Sequence, residues 1–375
     1  MKIAIVTSNN LPLNAATRKG TEIIVYDLIS YLVKNQQLQI TAFASGDSDL
    51  PVKIESVDNK STFANEGVLS EDKHIIFELA LLSKAFTKQN EFDLFHVNIG
   101  DGDIALPFSP FVKKPILITI HHALDTDYIR KYFSIFKNAQ NVFFISASNA
   151  QRKLLPDLNY LTTIYHGVDP EIFSFNGEGG ERIMWAGRAI PEKGVDIVVE
   201  VARKMKHEAR LFGIPRKEHK AWLQKTVLDK IKNSSLSVPI SIEMDQKREQ
   251  LIKHFQTSRL FLSPVTYEES FGLVLIESMS CGTPVVAYAR GSIPEVVVDG
   301  TTGFIVNESE NDIRGNWIVK KTGVDGLMEA VERIYAMPQD KYLALRKACS
   351  NHIGENFTIE KMAENYIHAY KKVIA

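Results

Sequence analysis

The sequence predicts an α/β protein built from two doubly wound parallel-sheet domains, and three observations predict it. Short apolar runs of the buried-strand type alternate with amphipathic helical runs through both halves of the chain. The length, 375 residues, is too great for one ordinary domain and comfortable for two. Near the middle, Phe173 to Glu181 carries Asn176, Gly177, Gly179 and Gly180, a linker composition, after which the alternation starts again.

Composition narrows the function classes. With 45% hydrophobic and 24% charged residues, the chain is globular and neither disordered nor fibrous. Up to Val168 it holds 16 Lys+Arg against 17 Asp+Glu, and beyond it 28 against 28, so neither part is basic and a nucleic-acid partner is not expected. Only Cys281 and Cys349 occur, which argues against a disulfide scaffold and against a zinc site. Met1-Lys2 leads straight into a strand-like run with no cleavage pattern, and no run approaches 18 apolar residues. A cytoplasmic protein is the expectation.

In the first half, Lys2 to Thr7 reads as a buried strand, Ser8 to Lys19 as a polar loop, and Gly20 to about Lys34 as a helix with Ile24, Val25, Leu28, Ile29 and Leu32 at helical spacing. The loop Ser8-Asn9-Asn10-Leu11-Pro12 has no glycine, so the G-x-G-x-x-G of dinucleotide sites is missing there, which argues against NAD or FAD. A strand from Leu38 to Phe43 precedes a long polar stretch, Ser45 to Asp72, and Ile75 to Thr87 reads as a helix. The strand Pro115 to Ile120 ends in His121-His122, and ligands of open parallel sheets gather at such carboxyl ends. Asp125 to Asn138 reads as a helix with Tyr128, Tyr132 and Phe136 beside Arg130, Lys131 and Lys137. An amphipathic core helix is the commoner explanation, and peripheral contact with an anionic membrane is the other. Val142 to Ser146 closes this half as a strand.

The second half opens with a strand, Arg182 to Ala186, and the loop Gly187-Arg188-Ala189-Ile190-Pro191-Glu192-Lys193-Gly194 feeding a helix, Val195 to Lys206. Arg188, a bidentate fork, and Lys193, a point charge, can both reach one anion. Strands at Ala209 to Phe212, Ile240 to Glu243 and Leu260 to Leu262 alternate with helices at Lys217 to Ile231 and Gln246 to Gln256. Then comes a loop from Pro264, with Gly272 opening a helix that stops at Gly282-Thr283-Pro284 before the strand Val285 to Tyr288. At that helix start the N–H groups of Phe271, Gly272 and Leu273 lack intrahelical partners and suit a phosphate or a sugar hydroxyl. Glu269 stands just before it and Glu277 inside it. Two carboxylates flanking an anion-binding helix end suit a nucleotide-sugar, which has phosphate in the middle and hydroxyls at both ends. Gly291 to Glu295 and Asp299 to Val306 read as glycine-supported turns, and three amphipathic helices complete the chain.

Glu269-Ser270-Phe271-Gly272-Leu273-Val274-Leu275-Ile276-Glu277 through Cys281-Gly282-Thr283-Pro284 resembles the signature of the retaining nucleotide-sugar glycosyltransferases of family 4, the glycosyl transferases group 1. Gly187-Arg188 with Lys193-Gly194 resembles the family's diphosphate loop. The resemblance implies the GT-B architecture, two Rossmann-like domains facing across a cleft. The domains it implies are residues 1–170 on the acceptor side, 171–355 on the donor side, and a C-terminal helix, 356–375, packing back on the first. It implies Arg188 and Lys193 on the diphosphate, Glu269 on the transferred sugar, Glu277 on the ribose and His121 at the reaction centre. Of the family's Gly-Gly pair before the first helix only Gly20 carries over, Lys19 replacing its neighbour. Asn98 replaces the last histidine of an Asp-x-x-His-x-His strand, and His166 the asparagine of the inter-domain Asn-Gly-Val-Asp.

The expected reaction is transfer of a hexose-type sugar, with retention, from a nucleoside-diphosphate sugar, UDP favoured and GDP next. The acceptor hydroxyl belongs to a saccharide, a lipid-linked or a small-molecule acceptor. No cofactor and no metal is expected, because the two cations and the helix start supply the positive charge. Asp47-Ser48-Asp49, Asp101-Gly102-Asp103 and Asp125-Thr126-Asp127 have D-x-D spacing but read as loop or cap residues. A phosphorylase or disaccharide-forming relative, and a non-catalytic sugar-nucleotide-binding protein, are the alternatives. The base, sugar, acceptor, linkage and oligomeric state stay open.

Overall fold

The computed structural model describes residues 1–17, 19–71, 73–100, 102–232 and 238–374. Asp101, a member of one D-x-D spacing, and Asp72, the end of the polar stretch, lie outside the described residues. The chain divides into two compact units, Met1–Gly167 with Ile359–Ala375, and Val168–Thr358.

The first unit holds seven parallel strands: β1 (Lys2–Thr7), β2 (Gln39–Phe43), β3 (Lys53–Glu55), β4 (Leu94–Asn98), β5 (Ile116–Ile120), β6 (Val142–Ser146) and β7 (Tyr160–Thr163). They run in the order β3-β2-β1-β4-β5-β6-β7. The central β4 and β5 are buried along their whole length, β5 as a run apolar except for Thr119 and β4 with His96 and Asn98 buried among its apolar residues. The edge strands β3 and β7 are only half-buried and carry Lys53, Glu55, Thr162 and Thr163, so the apolar pattern missed both. A short helix, Glu66–Ser70, also lies inside the stretch read as polar loop. The core of this unit gathers Phe43, Phe86, Phe92, Phe95, Ile118 and Phe133.

The helix Ile359–Ile374 belongs to the first unit although it comes last in the chain. Its Tyr366 and Tyr370 are wholly buried, and their hydroxyls meet Thr119 Oγ1 at 3.0 Å and His96 Nδ1 at 2.8 Å. His96 Nε2 meets Thr119 Oγ1 at 2.8 Å. Burial holds the His96 pKa down at about 3, so it stands as a neutral structural bridge between β4, β5 and the helix.

The second unit has six parallel strands: β8 (Arg182–Arg188), β9 (Ala209–Ile214), β10 (Ile240–Met244), β11 (Ser258–Ser263), β12 (Val285–Tyr288) and β13 (Gly303–Val306), in the order β10-β9-β8-β11-β12-β13. β13 forms where the sequence suggested only turns. Trp185, Val198, Val199, Leu211, Leu260, Leu262 and Val286 fill its core, the helix Val195–Met205 presenting Val195, Val198, Val199 and Ala202 at helical spacing. The single helix expected from Lys217 to Ile231 is instead broken by a π turn at Gln224–Leu228.

In each sheet the chain moves outward from a central strand and then returns to that strand's other side. The reversal falls between β1 and β4 in the first unit and between β8 and β11 in the second. Such switch points leave a crevice at the carboxyl ends of the strands. Among the described residues no helix is long and apolar enough to cross a membrane.

Candidate functional site

In the second unit the switch point sets the loop after β8 beside the loop after β11. The turn Pro191–Lys193 is followed by Gly194, with φ +68°, where a Cβ would stand 2.3 Å from the carbonyl oxygen of Pro264. Only glycine lets these two loops lie together. Thr266 N–H donates to the Glu192 carbonyl at 3.0 Å, and the Trp185 indole N–H donates to the Lys193 carbonyl at 3.1 Å. The Lys193 side chain is thereby aimed along the second loop. Its Nζ lies 2.6 Å from Oε2 of Glu269, and the Tyr267 hydroxyl donates to the same oxygen at 2.7 Å. The ammonium also stands 4.9 Å from the centre of the Tyr267 ring.

Burial alone would lower the Lys193 pKa, but the Glu269 carboxylate and Tyr267 outweigh it and hold the ammonium above the usual lysine range. Burial would likewise raise Glu269, yet the charge and hydrogen bond of Lys193, the Tyr267 hydroxyl and the charge of Arg188 keep it below the usual carboxylate range. Burial first and then Glu269 push the Tyr267 phenol up to about 12. At neutral pH the centre is therefore an ion pair beside a neutral phenol. Both bonds fall on Oε2, and Oε1 takes none among the described residues. Arg188, the last residue of β8, is exposed.

The helix after this loop is Leu273–Ser280, so Gly272 precedes it as N-cap instead of opening it, with φ +80°. A glycine cap supplies no side chain to the first-turn amides. Phe271 is buried, its ring 5.9 Å from that of Phe357. Glu277 is also buried, and its Oε1 accepts from Arg248 Nε at 2.7 Å. The Arg248 guanidinium in turn lies 4.8 Å from the centre of the Phe173 ring. Sequence reading passed over Arg248; its place at the start of the helix beyond β10 was the one available signal.

In the first unit, His121 lies just past the carboxyl end of β5 and its Nε2 meets Asn98 Oδ1 at 3.1 Å. Its ring stacks on His166 at 5.7 Å and 22°. Asn98 and His166 are two of the three positions where the chain departs from the family pattern, Lys19 being the other, and both meet His121. Burial, and then His166, His122 and His96, hold the His121 pKa well below its ordinary value, so the ring is neutral at pH 7. With Asn98 Oδ1 as acceptor, the proton sits on Nε2 and Nδ1 is an acceptor; Nδ1 is buried without a hydrogen-bond partner among the described residues. Gly20 begins the helix Gly20–Leu32 and is exposed, while Lys19 at its N-cap lies 3.6 Å from Glu22.

One carboxylate of each D-x-D spacing is otherwise engaged. Asp47 accepts from the Ser61 N–H and hydroxyl at 3.0 and 3.1 Å, Asp103 accepts from Ile104 N–H at 2.9 Å, and Asp127 pairs with Arg130 at 3.1 Å. Among the described residues no group of three His, Cys, Asp or Glu side chains could hold a metal ion.

Residues 170–341 match the family model of the glycosyl transferases group 1. This part of the chain is a glycosyl transferases group 1 domain. It contains Arg188, Lys193, Glu269 and Glu277. The chain is 27% identical over 227 residues to the D-inositol 3-phosphate glycosyltransferase of Mycolicibacterium smegmatis, covering 57% of this chain and 48% of that one. It is 24% identical to an uncharacterized glycosyltransferase of Methanocaldococcus jannaschii, covering 62% of this chain and 66% of that one. The chain thus spans about half the length of the first relative and 66% of the second. Among solved structures, sucrose-phosphate synthase from Thermosynechococcus elongatus superposes with TM-score 0.73 at 17% identity over 99% of this chain and 98% of that one. Anabaena HepE in complex with UDP and glucose superposes with TM-score 0.74 at 16% identity over 99% and 100%. Likeness at this identity carries the fold, two parallel-sheet α/β domains of the GT-B type.

Proposed function

We propose that the chain is a retaining glycosyltransferase that moves a hexose-type sugar from a nucleoside-diphosphate sugar, UDP-sugar first, to an acceptor hydroxyl. The observation that carries this reading is the Lys193–Glu269 pair at the β8/β11 switch point, with Arg188 on the adjoining strand end and a glycine-capped helix start beside it. HepE, at the same fold, is seen with UDP-glucose, which supports a nucleotide-sugar donor.

In this reading Arg188, the Lys193 ammonium and the amides at the start of Leu273–Ser280 face the diphosphate. Lys193 has three N–H donors, so it can keep Glu269 and still give one to a phosphate oxygen. Oε1 of Glu269 takes a hydroxyl of the transferred sugar, and Glu277 takes the ribose hydroxyls, exchanging Arg248 for them. As the bond from the anomeric carbon to the phosphate oxygen breaks, charge grows on the diphosphate in front of fixed positive groups. Preorganised stabilisation of that kind lowers a barrier by several kcal/mol. The acceptor oxygen bonds to the anomeric carbon on the face the phosphate leaves, and its proton passes to the departing phosphate. In the first unit the residue assigned to catalysis is His121, a neutral ring whose Nδ1 is left to accept a hydrogen bond. No metal is required in this scheme, because the fixed cations do its electrostatic work.

The test is incubation with a panel of nucleotide-sugars and acceptors, reading nucleoside-diphosphate release and the anomeric configuration of the product by NMR. Acceptor-dependent release with a retained configuration is expected; an inverted product, or release of sugar phosphate only with added inorganic phosphate, would overturn the reading.

A further inference from the structure

Beyond β13 the chain runs from 307 to 322 before the helix Gly323–Tyr335, with neither helix nor strand of its own. Loops of this length in a compact domain usually have a function. This one is ordered by Asn307, whose Oδ1 accepts from Arg314 N–H at 2.9 Å and from the Trp317 indole N–H at 3.1 Å, and whose Nδ2 donates to the Gly315 carbonyl at 2.9 Å. That folding presents Arg314 to Glu268, the neighbour of Glu269.

Arg314 Nη1 lies 2.7 Å from Oε1 and 2.9 Å from Oε2 of Glu268. Arg290 Nη1 approaches Oε1 at 3.3 Å, and Gly291 N–H donates to Oε2 at 2.9 Å. Asp312 ties the two arginines together, 3.0 Å from each, and Glu308 holds the far side of Arg290. The same turn is pressed onto the next residue: Ser292 N–H donates to the Glu269 carbonyl at 2.9 Å, and a Cβ on Gly291 would stand 2.1 Å from that oxygen. Glu269 is therefore gripped at both ends. Lys193 and Tyr267 hold its carboxylate, while Glu268, Gly291 and Ser292 hold its backbone.

We propose that Arg314 and Glu268 are positioning residues for Glu269, through which the 307–322 loop sets where the sugar-binding carboxylate stands. The proposal rests on the reading of Glu269 as the group that takes the transferred sugar. It goes beyond that reading by assigning the loop a part in sugar selection and turnover and none in holding the nucleotide.

The experiment uses the full chain with Arg314→Met, Glu268→Gln and the double variant, with Arg314→Lys as the conservative member that keeps the charge. Calorimetry gives affinities for a nucleoside diphosphate and its nucleotide-sugar, and steady-state kinetics give kcat and KM. Arg314→Met and Glu268→Gln should each keep the diphosphate affinity within about twofold while lowering nucleotide-sugar affinity and kcat by roughly tenfold, because small misplacement of a reacting group is costly. The double variant should be no worse than the worse single one, as coupled partners are not additive, and Arg314→Lys should recover part of the loss. Variants that lower the melting temperature but keep wild-type kcat and the wild-type ratio of the two affinities would overturn the proposal, leaving a structural brace. A wild-type chain that binds neither ligand would overturn the reading of the whole site instead.

Discussion

Lys193 and Glu269, 76 positions apart, meet at 2.6 Å with side chains only 15% and 12% exposed. Sequence reasoning gave these residues separate duties, the cation on the diphosphate and the carboxylate on the sugar. The structure makes them one unit, so that altering either alone leaves the other's charge largely buried without its direct ion-pair partner.

Lys193→Met should cost about 3 kcal/mol of stability, the scale for breaking one side of a buried ion pair, and Lys193→Met/Glu269→Gln should recover part of it. Denaturant unfolding of the two variants beside the unaltered chain checks this. Equal losses in the single and double variants would contradict the pairing.

The same pair fixes a pH dependence. Glu269 is held below its ordinary pKa, so its contribution is complete above the unfolded carboxylate value and is lost as pH falls through the lower folded one. In Lys193→Met burial is left to push Glu269 back up, so the acid limb this carboxylate contributes should shrink or reverse, as read by denaturant unfolding across acidic pH.

A second window belongs to the first unit. His96 and His166 are both pushed by burial to about 3, so they contribute stability that is complete above about 6.5 and lost as pH falls from there towards 3. Replacing His96 by Gln should lower stability at pH 7, through its lost bonds to Tyr370 and Thr119, while flattening the slope of stability against pH between these limits. An unchanged slope would mean that His96 does not titrate on unfolding.

Arg188→Ala should lower kcat by roughly 100-fold while leaving the fold intact, since Arg188 is exposed and its charge is needed as the diphosphate departs. Activity should survive chelation. Enzyme that is silent in EDTA until Mg2+ or Mn2+ is restored would contradict the fixed-cation scheme.

The double-wound, two-unit architecture was legible because buried parallel strands such as β5 and β12 announce themselves as largely apolar runs. Strands β3 and β7 were not, because edge strands of mixed polarity owe their shape to the neighbour they pair with. The motif residues Arg188, Lys193, Glu269 and Glu277 were legible from local spacing, but their partners were not. Arg248 on Glu277, and Arg290 and Arg314 on Glu268, come from other strand ends that only the sheet order brings together. Gly194 was noted as part of a motif; that it is obligatory follows only from the Pro264 carbonyl against it.

The central claim is that Glu269 and Glu277 divide the donor between them, and calorimetric titration of Glu269→Ala and Glu277→Ala with a nucleoside diphosphate and its nucleotide-sugar tests it most directly. Glu277→Ala should weaken the nucleoside diphosphate by on the order of 1.5 to 3 kcal/mol, the worth of a charge-assisted hydrogen bond. Glu269→Ala should leave that affinity nearly intact and reduce only the added affinity of the sugar. Equal losses of nucleoside-diphosphate affinity in the two variants would contradict the account.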